Sequence, residues 1–267
     1  MTDLAIIAGT GTLPRLLADV AGPVVLAELE GFPSEVPGAD PIRFRIERLV
    51  PFLETLIERG VKRVVFAGGI RRPRLEPELF DARTATLVPR LLGAMQAGDD
   101  AALRAVIGIF EEWDLEVVGA DAIAPDLVPG PGVLCGAPTP ADDADATRAA
   151  GIVAALGAVD VGQGAVVAQG LCLAVEALPG TDAMLDFAAL HARLRPNPAG
   201  ARGLFYKAPK PGQDRRVDLP AIGPETVARA AAAGLGGIAW EAGGVLLLDR
   251  AATIASAQAK GLFLWAR

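Results

Sequence analysis

Between residues 4 and 118, short apolar runs alternate with segments of helical spacing, and no other feature of the chain restricts its fold as much. Residues 4–8 are apolar and end at Gly9, whereas 13–20 repeat their apolar positions at helical intervals, with Pro14 suited to a first turn. Residues 24–29 and 63–67 read as further strands, the latter closed by Gly68 and Gly69, and 51–59 as the helix between them. Two helices follow at 87–97 and 99–113, the second capped by Asp99 or Asp100, and then a strand at 115–118. Strand and helix in alternation predict a parallel sheet of Rossmann-like type.

The texture changes between residues 124 and 140, where Pro125, Pro129, Pro131, Pro138 and Pro140 interrupt any periodicity. The chain therefore divides into an N-terminal Rossmann-like domain, 1–130, and a C-terminal α/β domain, 138–267. The second half reads as a helix at 142–156, one bent strand at 165–177 and a helix from a Thr181 or Asp182 cap to 194. A strand at 204–207, a helix at 224–233, a hairpin-like stretch at 237–248, a helix at 250–260 and a strand at 262–265 complete it. At 52% hydrophobic residues the 267-residue chain is rich enough for real cores, and the excess is scattered alanine. No run reaches the roughly 18 apolar residues of a bilayer span, and the start lacks a basic leader, so a cytoplasmic location is expected.

Scarcity narrows the chemistry. Cys135 and Cys172 are too few for a disulfide framework, and His191 is the only histidine, which excludes His-rich dimetal centres and HExxH zinc sites. Carboxylates, Lys, Arg, hydroxyls and backbone amides must do the work. A net charge of −7 argues against nucleic acid as a partner.

Locally the charge is reversed. Residues 59–74 hold Arg59, Lys62, Arg63, Arg71, Arg72 and Arg74 with no acid, and 193–216 hold seven bases against Asp214 alone. One basic cluster in each half suggests an anion received by both, while a single cluster would read as a solvated face. The loop Gly9-Thr10-Gly11-Thr12 between strand and helix is placed to meet a phosphate, or is a tight turn and nothing more. Pro14 stands where a dinucleotide fingerprint needs its third glycine, although Glu28 and Glu30 after the second strand keep a nicotinamide-dependent oxidoreductase in play. Asp160 near Gln163, and Thr181 with Asp182, sit at element starts where capping is the default explanation. In the proline-restrained loop 207–220, Asp214 and Asp218 are close enough for one Mg²⁺ that also takes substrate phosphate oxygens. The plain alternative is a surface loop whose aspartates pair with their own arginines.

Six motifs in order, AGTGTLP, FAGGIRRP, GDDAALR, DVGQGAVV, GTDAML and KAPKPGQDRRVDLPAIGPET, resemble the LpxI-type UDP-2,3-diacylglucosamine pyrophosphatases of lipid A synthesis over nearly the whole chain. The resemblance implies hydrolysis of UDP-2,3-diacylglucosamine to UMP and 2,3-diacylglucosamine 1-phosphate (lipid X), with Mg²⁺ or another divalent cation. It implies that Asp218 is essential, and we take Asp218 as catalytic residue and metal ligand with Asp214 assisting. Candidate substrate contacts carried by the motifs are Gly9, Gly11, Gly69, Arg72, Gln163, Thr181, Asp182, Lys210, Gln213 and Arg216. The expected partner is a lipid-linked sugar nucleotide met during transient contact with the inner face of the cytoplasmic membrane, and a homodimer is compatible with the sequence. A sugar-nucleotide or lipid carrier without catalysis is the rival reading.

Overall fold

The computed structural model describes residues 2–71 and 74–267. It divides into two compact units, Met1–Pro125 with Asp214–Asp218, and Asp126–Gln213 with Leu219–Arg267. Among the described residues no helix is long and apolar enough to cross a membrane.

Unit 1 runs β1 (Leu4–Ala8), α1 (Leu13–Ala21), β2 (Val25–Leu29), β3 (Ile42–Phe44), α2 (Leu49–Glu58), β4 (Arg63–Ala67), α3 (Ala82–Ala85), α4 (Val88–Ala97), α5 (Asp99–Glu111), β5 (Glu116–Val118) and α6 (Ala120–Ile123). The five strands are parallel in the order β3-β2-β1-β4-β5. Every residue of β1 is buried, as a central parallel strand covered on both faces requires, which is why its sequence is continuously apolar. Ala5, Ile7 and Val64 meet Leu53 and Leu56 of α2 and Ile109 and Phe110 of α5 in one core, while α1 packs on β1 and β4. The sequence reading missed β3, a short strand with Arg43 at its centre. Its place is fixed by Phe44, which stacks on Phe52 with ring centroids 3.9 Å apart. The N-cap of α5 is Gly98, not Asp99 or Asp100, and Asp100 pairs with Arg104 one turn on.

Unit 2 runs β6 (Gly132–Cys135), α7 (Pro140–Gly157), β7 (Gly164–Ala168), β8 (Leu171–Val175), α8 (Gly180–Leu190), β9 (Leu204–Lys207), β10 (Ala221–Ile222), α9 (Pro224–Ala232), β11 (Gly237–Trp240), β12 (Leu246–Leu247), α10 (Arg250–Ala259) and β13 (Phe263–Ala266). Its sheet has the order β6-β13-β11-β9-β7-β8, with β9, β11 and β13 parallel and the outer strands antiparallel. Ala146, Ala149 and Val153 of α7 cover one face, where alanine lets the helix lie close, and α8, α9 and α10 cover the other. Thr139 caps α7 by a reciprocal capping box with Asp142.

Two expectations are corrected here. The single bent strand of residues 165–177 is a hairpin, β7–β8, because Gln169 (φ 53°) and Gly170 (φ 75°) both turn into the left-handed region. The buried Asp145 accepts both of their amides, at 2.9 and 2.7 Å, and so holds the turn from α7. Residues 237–248 form no hairpin: β11 is already bonded on both sides, to β9 and β13, so β12 pairs elsewhere, parallel to β10.

Candidate active site

In unit 1 the chain runs β1, β2, β3 outward on one side and returns to β4 on the other, so the switch of direction lies between β1 and β4. Open parallel sheets bind ligands beyond the carboxyl ends of the strands at such a switch. The loops leaving β1 and β4 meet there and are stitched together. Thr10 N donates to Gly69 O at 3.0 Å, Gly69 N to Thr10 O at 2.9 Å and Gly9 N to Ala67 O at 2.8 Å. Their approach leaves no room for side chains: a Cβ on Gly9 would lie 2.5 Å from Gly69 O, and one on Gly68, at φ +89°, 2.6 Å from Thr10 O. The amides of Gly9 and Thr10 are thereby committed. The first turn of α1, which has no side-chain cap, presents the backbone around Gly11 as the end that an anion fits. Gly68→Ala is expected to destabilise unit 1 by at least roughly 2 kcal/mol through strain and overlap, read as a lower urea midpoint.

Glu28 and Glu30, the acids that kept a nicotinamide cofactor in play, are engaged locally. Glu28 is buried and accepts Ser34 N and Oγ at 2.8 and 2.6 Å, and Glu30 pairs with Arg45 at 3.0 Å.

The segment Asp214–Asp218 belongs to unit 1. Val217 packs against the unit 1 core, and the Cα of Arg216 lies 3.5 Å from where a Cβ on Gly119 would stand. Gly119 follows β5, so this segment borders the same carboxyl edge of the parallel sheet as the two glycine loops. Arg216 grips Asp214 with two nitrogens, Nε to Oδ1 at 3.0 Å and Nη2 to Oδ2 at 2.7 Å, and reaches Glu111 Oε1 with Nη1 at 2.6 Å. Pairing with Arg216 holds the Asp214 carboxyl below the ordinary carboxylate range against the opposing effect of burial. The plain alternative from the sequence, an aspartate paired with its own arginine, is what Asp214 adopts. Asp218 closes the segment, half-buried.

Because its pKa is lowered on folding, Asp214 contributes stability that is complete above the unfolded carboxylate pKa and fades as pH falls through the folded value. Asp214→Asn is therefore expected to lower the melting temperature by about 2–4 °C at pH 7, the equivalent of about 1 kcal/mol. The difference from the parent should close as pH falls below the ordinary carboxylate range, measured by parallel thermal melts.

Unit 2 assembles a second polar cluster at the end of β9. Lys207, 6% exposed, donates to Thr181 Oγ1 at 2.5 Å and stands 3.9 Å from Glu176 Oε2, while Thr181 Oγ1 donates to Glu176 Oε1 at 3.0 Å. Gly164, which pairs with Lys207 across the strands, makes room, since a Cβ there would lie 2.7 Å from Glu176 Oε2. Next to it Gln163 Nε2 donates to Gln213 Oε1 at 2.9 Å, and the same oxygen accepts Lys210 N at 2.9 Å. The Lys210 ammonium pairs with Asp160 at 2.5 Å. Gln163, Thr181, Lys210 and Gln213 are thus brought close together. Asp182 lies apart, exposed and 3.5 Å from Arg229 of α9. Neither Thr181 nor Asp182 caps α8; its N-cap is Pro179, and the Thr181 hydroxyl is used in the cluster instead. Arg72 lies outside the described residues. Glu176 was not a candidate from the sequence, where it is one acid after an apolar run; only the fold of the β7–β8 hairpin carries it to Lys207.

The long motif beginning at Lys207 supplies residues 207–213 to unit 2 and 214–218 to unit 1. Residues 3–127 match the model of the LpxI N-terminal domain and residues 130–265 that of the LpxI C-terminal domain. The chain is 42% identical over 274 aligned residues to UDP-2,3-diacylglucosamine pyrophosphatase LpxI of Caulobacter vibrioides, covering 99% of this chain and 97% of that one. With both domain models matched in order and the length accounted for from end to end, the chain belongs to the LpxI family.

Proposed function

We propose that this chain hydrolyses the pyrophosphate bond of UDP-2,3-diacylglucosamine, releasing UMP and 2,3-diacylglucosamine 1-phosphate. The observation that carries this reading is the end-to-end match with a relative named for that activity, 42% identical over 99% of the chain. The local structure supports it. The uncapped start of α1 beside the stitched glycine loops suits one phosphate of an anionic substrate. In unit 2, Gln163, Gln213 and the backbone of Lys210 form a second hydrogen-bonded polar cluster next to Lys207.

In this mechanism Asp218 is the catalytic carboxylate. Asp214, with both oxygens bonded to Arg216, assists by holding that guanidinium in place near the carboxyl edge of the parallel sheet. The donor set fits a divalent cation of the Mg²⁺ kind in one manner only: a single carboxylate, that of Asp218, with substrate phosphate oxygens and water making up the rest. A cage of protein ligands alone is not what the described residues build, since no group of three or more His, Cys, Asp or Glu among them could hold a metal ion. When bound, such a cation neutralises charge on the phosphates and makes water more acidic. The rest of the work falls to the chain: Asp218 orients and deprotonates water, and the cationic side chains bind the diphosphate. We place this activity in the cytoplasm, in transient contact with the inner face of the membrane that holds the lipid-linked substrate.

The deciding experiment is a UMP-release assay on UDP-2,3-diacylglucosamine with and without Mg²⁺. Stoichiometric UMP and diacylglucosamine 1-phosphate are the expected products. Tight binding of the nucleotide without any UMP release would instead identify a sugar-nucleotide carrier.

A further inference from the structure

Glu111 is the last residue of α5, and Glu112 caps the helix directly after it. The carboxyl end of a helix is the negative pole of its dipole, so two acids there are locally unfavourable and call for offsetting partners. Each has one, and the two partners differ in kind. Glu112 pairs at 2.6 Å with Arg90 of α4, the helix that packs against α5, so this pair braces neighbours. Glu111 pairs at 2.6 Å with Arg216, 105 residues away in the segment that carries Asp218. A residue that breaks a local rule without a local benefit answers to a requirement elsewhere in the molecule.

That segment is locked within itself. Asp214 Oδ1 accepts Arg216 N at 3.0 Å, Asp214 O accepts Val217 N at 3.3 Å, and the Arg216 guanidinium folds back onto both oxygens of Asp214. Residues 214–217 therefore form one compact turn, and Asp218 continues directly from it. Val217 rests against the unit 1 core, and Arg216 Nη1 donates to Glu111 Oε1. These two contacts constrain the turn differently. An apolar contact is non-directional and lets the turn pivot, whereas a charge-assisted hydrogen bond has a preferred length and angle.

We propose that Glu111 is a positioning residue for the reaction: acting through Arg216, it fixes the orientation of the turn and so the direction in which the Asp218 carboxylate is presented. This rests on the reading of Asp218 as the catalytic carboxylate. The side chains of Glu111 and Arg216 are 44% and 41% exposed, and an ion pair so open to water contributes little to global stability. Its effect falls on local geometry, which an experiment can separate from the fold.

UMP release and thermal melts of the full chain test this, with the parent compared to Glu111→Gln, Arg216→Ala, the double variant of these two, and Asp218→Ala. Glu111→Gln keeps the shape of the side chain and removes its charge. Its kcat is expected to fall about tenfold with KM within about twofold, because a displaced reacting group raises the barrier without weakening binding. Its melting temperature should stay within about 2 °C of the parent. Acting through Arg216, Glu111 has no effect once Arg216 is gone, so kcat of the double variant should match that of Arg216→Ala within about twofold. With Asp218→Ala inactive, a Glu111→Gln kcat within about twofold of the parent overturns the proposal and leaves the reading of Asp218 standing. A loss of kcat that tracks a fall in melting temperature assigns Glu111 to the fold and overturns it too, as does a loss that persists in the Arg216→Ala background. Parent-like turnover by Asp218→Ala is the separate outcome in which the reading of Asp218 itself fails, and the proposal falls with it.

Discussion

Asp218→Ala lowers the rate of UMP release by at least roughly a hundredfold while the KM for the lipid-linked nucleotide stays within about threefold, because the lost interaction belongs to the transition state. Asp218 ends a segment that Val217 holds against the unit 1 core and that Asp214 links through Arg216 to Glu111. Parallel thermal melts of variant and parent separate a loss of catalysis from a loss of fold. Asp218→Asn, which keeps the shape and removes the charge, should be nearly as inactive. If either variant turns over at close to the parent rate in saturating Mg²⁺, Asp218 is neither base nor metal ligand.

Removing the acyl chains from the substrate should have an effect of similar size. Burying ten methylenes is worth at most about 8 kcal/mol at roughly 0.8 each, and one third of that, about 2.7 kcal/mol, is a hundredfold. UDP-glucosamine carries the same diphosphate, so its kcat/KM should be lower by at least roughly that factor, measured side by side with the diacyl compound at one salt concentration. Equal kcat/KM for the two would mean that the enzyme reads the nucleotide and the diphosphate alone. The lipid-linked reading of the substrate would then fail even with hydrolysis intact.

The elements of unit 1 were legible because their signals are local. A continuously apolar β1 closed by glycine, and the helical spacing of α1, depend on residues within one or two turns of each other. The alternation of strands and helices then leaves a parallel sheet as the simple solution. The long motif from Lys207 to Thr226 likewise stands out without a structure, by its density of prolines and charges.

Where the sequence reading failed, the cause lies far along the chain. The turn at Gln169–Gly170 is held by Asp145, 24 and 25 residues away, so no local pattern announces it. The expected hairpin at 237–248 is prevented because strands from residues 204–207 and 263–266 occupy both sides of β11. Glu176 reaches Lys207 only once the β7–β8 hairpin has formed. Asp214 and Asp218, adjacent in sequence to Lys210 and Gln213, pack with the other unit. By itself the sequence determined which segments form strands and helices and which residue types are available for chemistry, because propensity, periodicity and composition act over a few residues. Which side chains meet, and which carboxylates are already paired, was decided by tertiary structure alone, because burial and hydrogen bonding depend on neighbours brought together by folding.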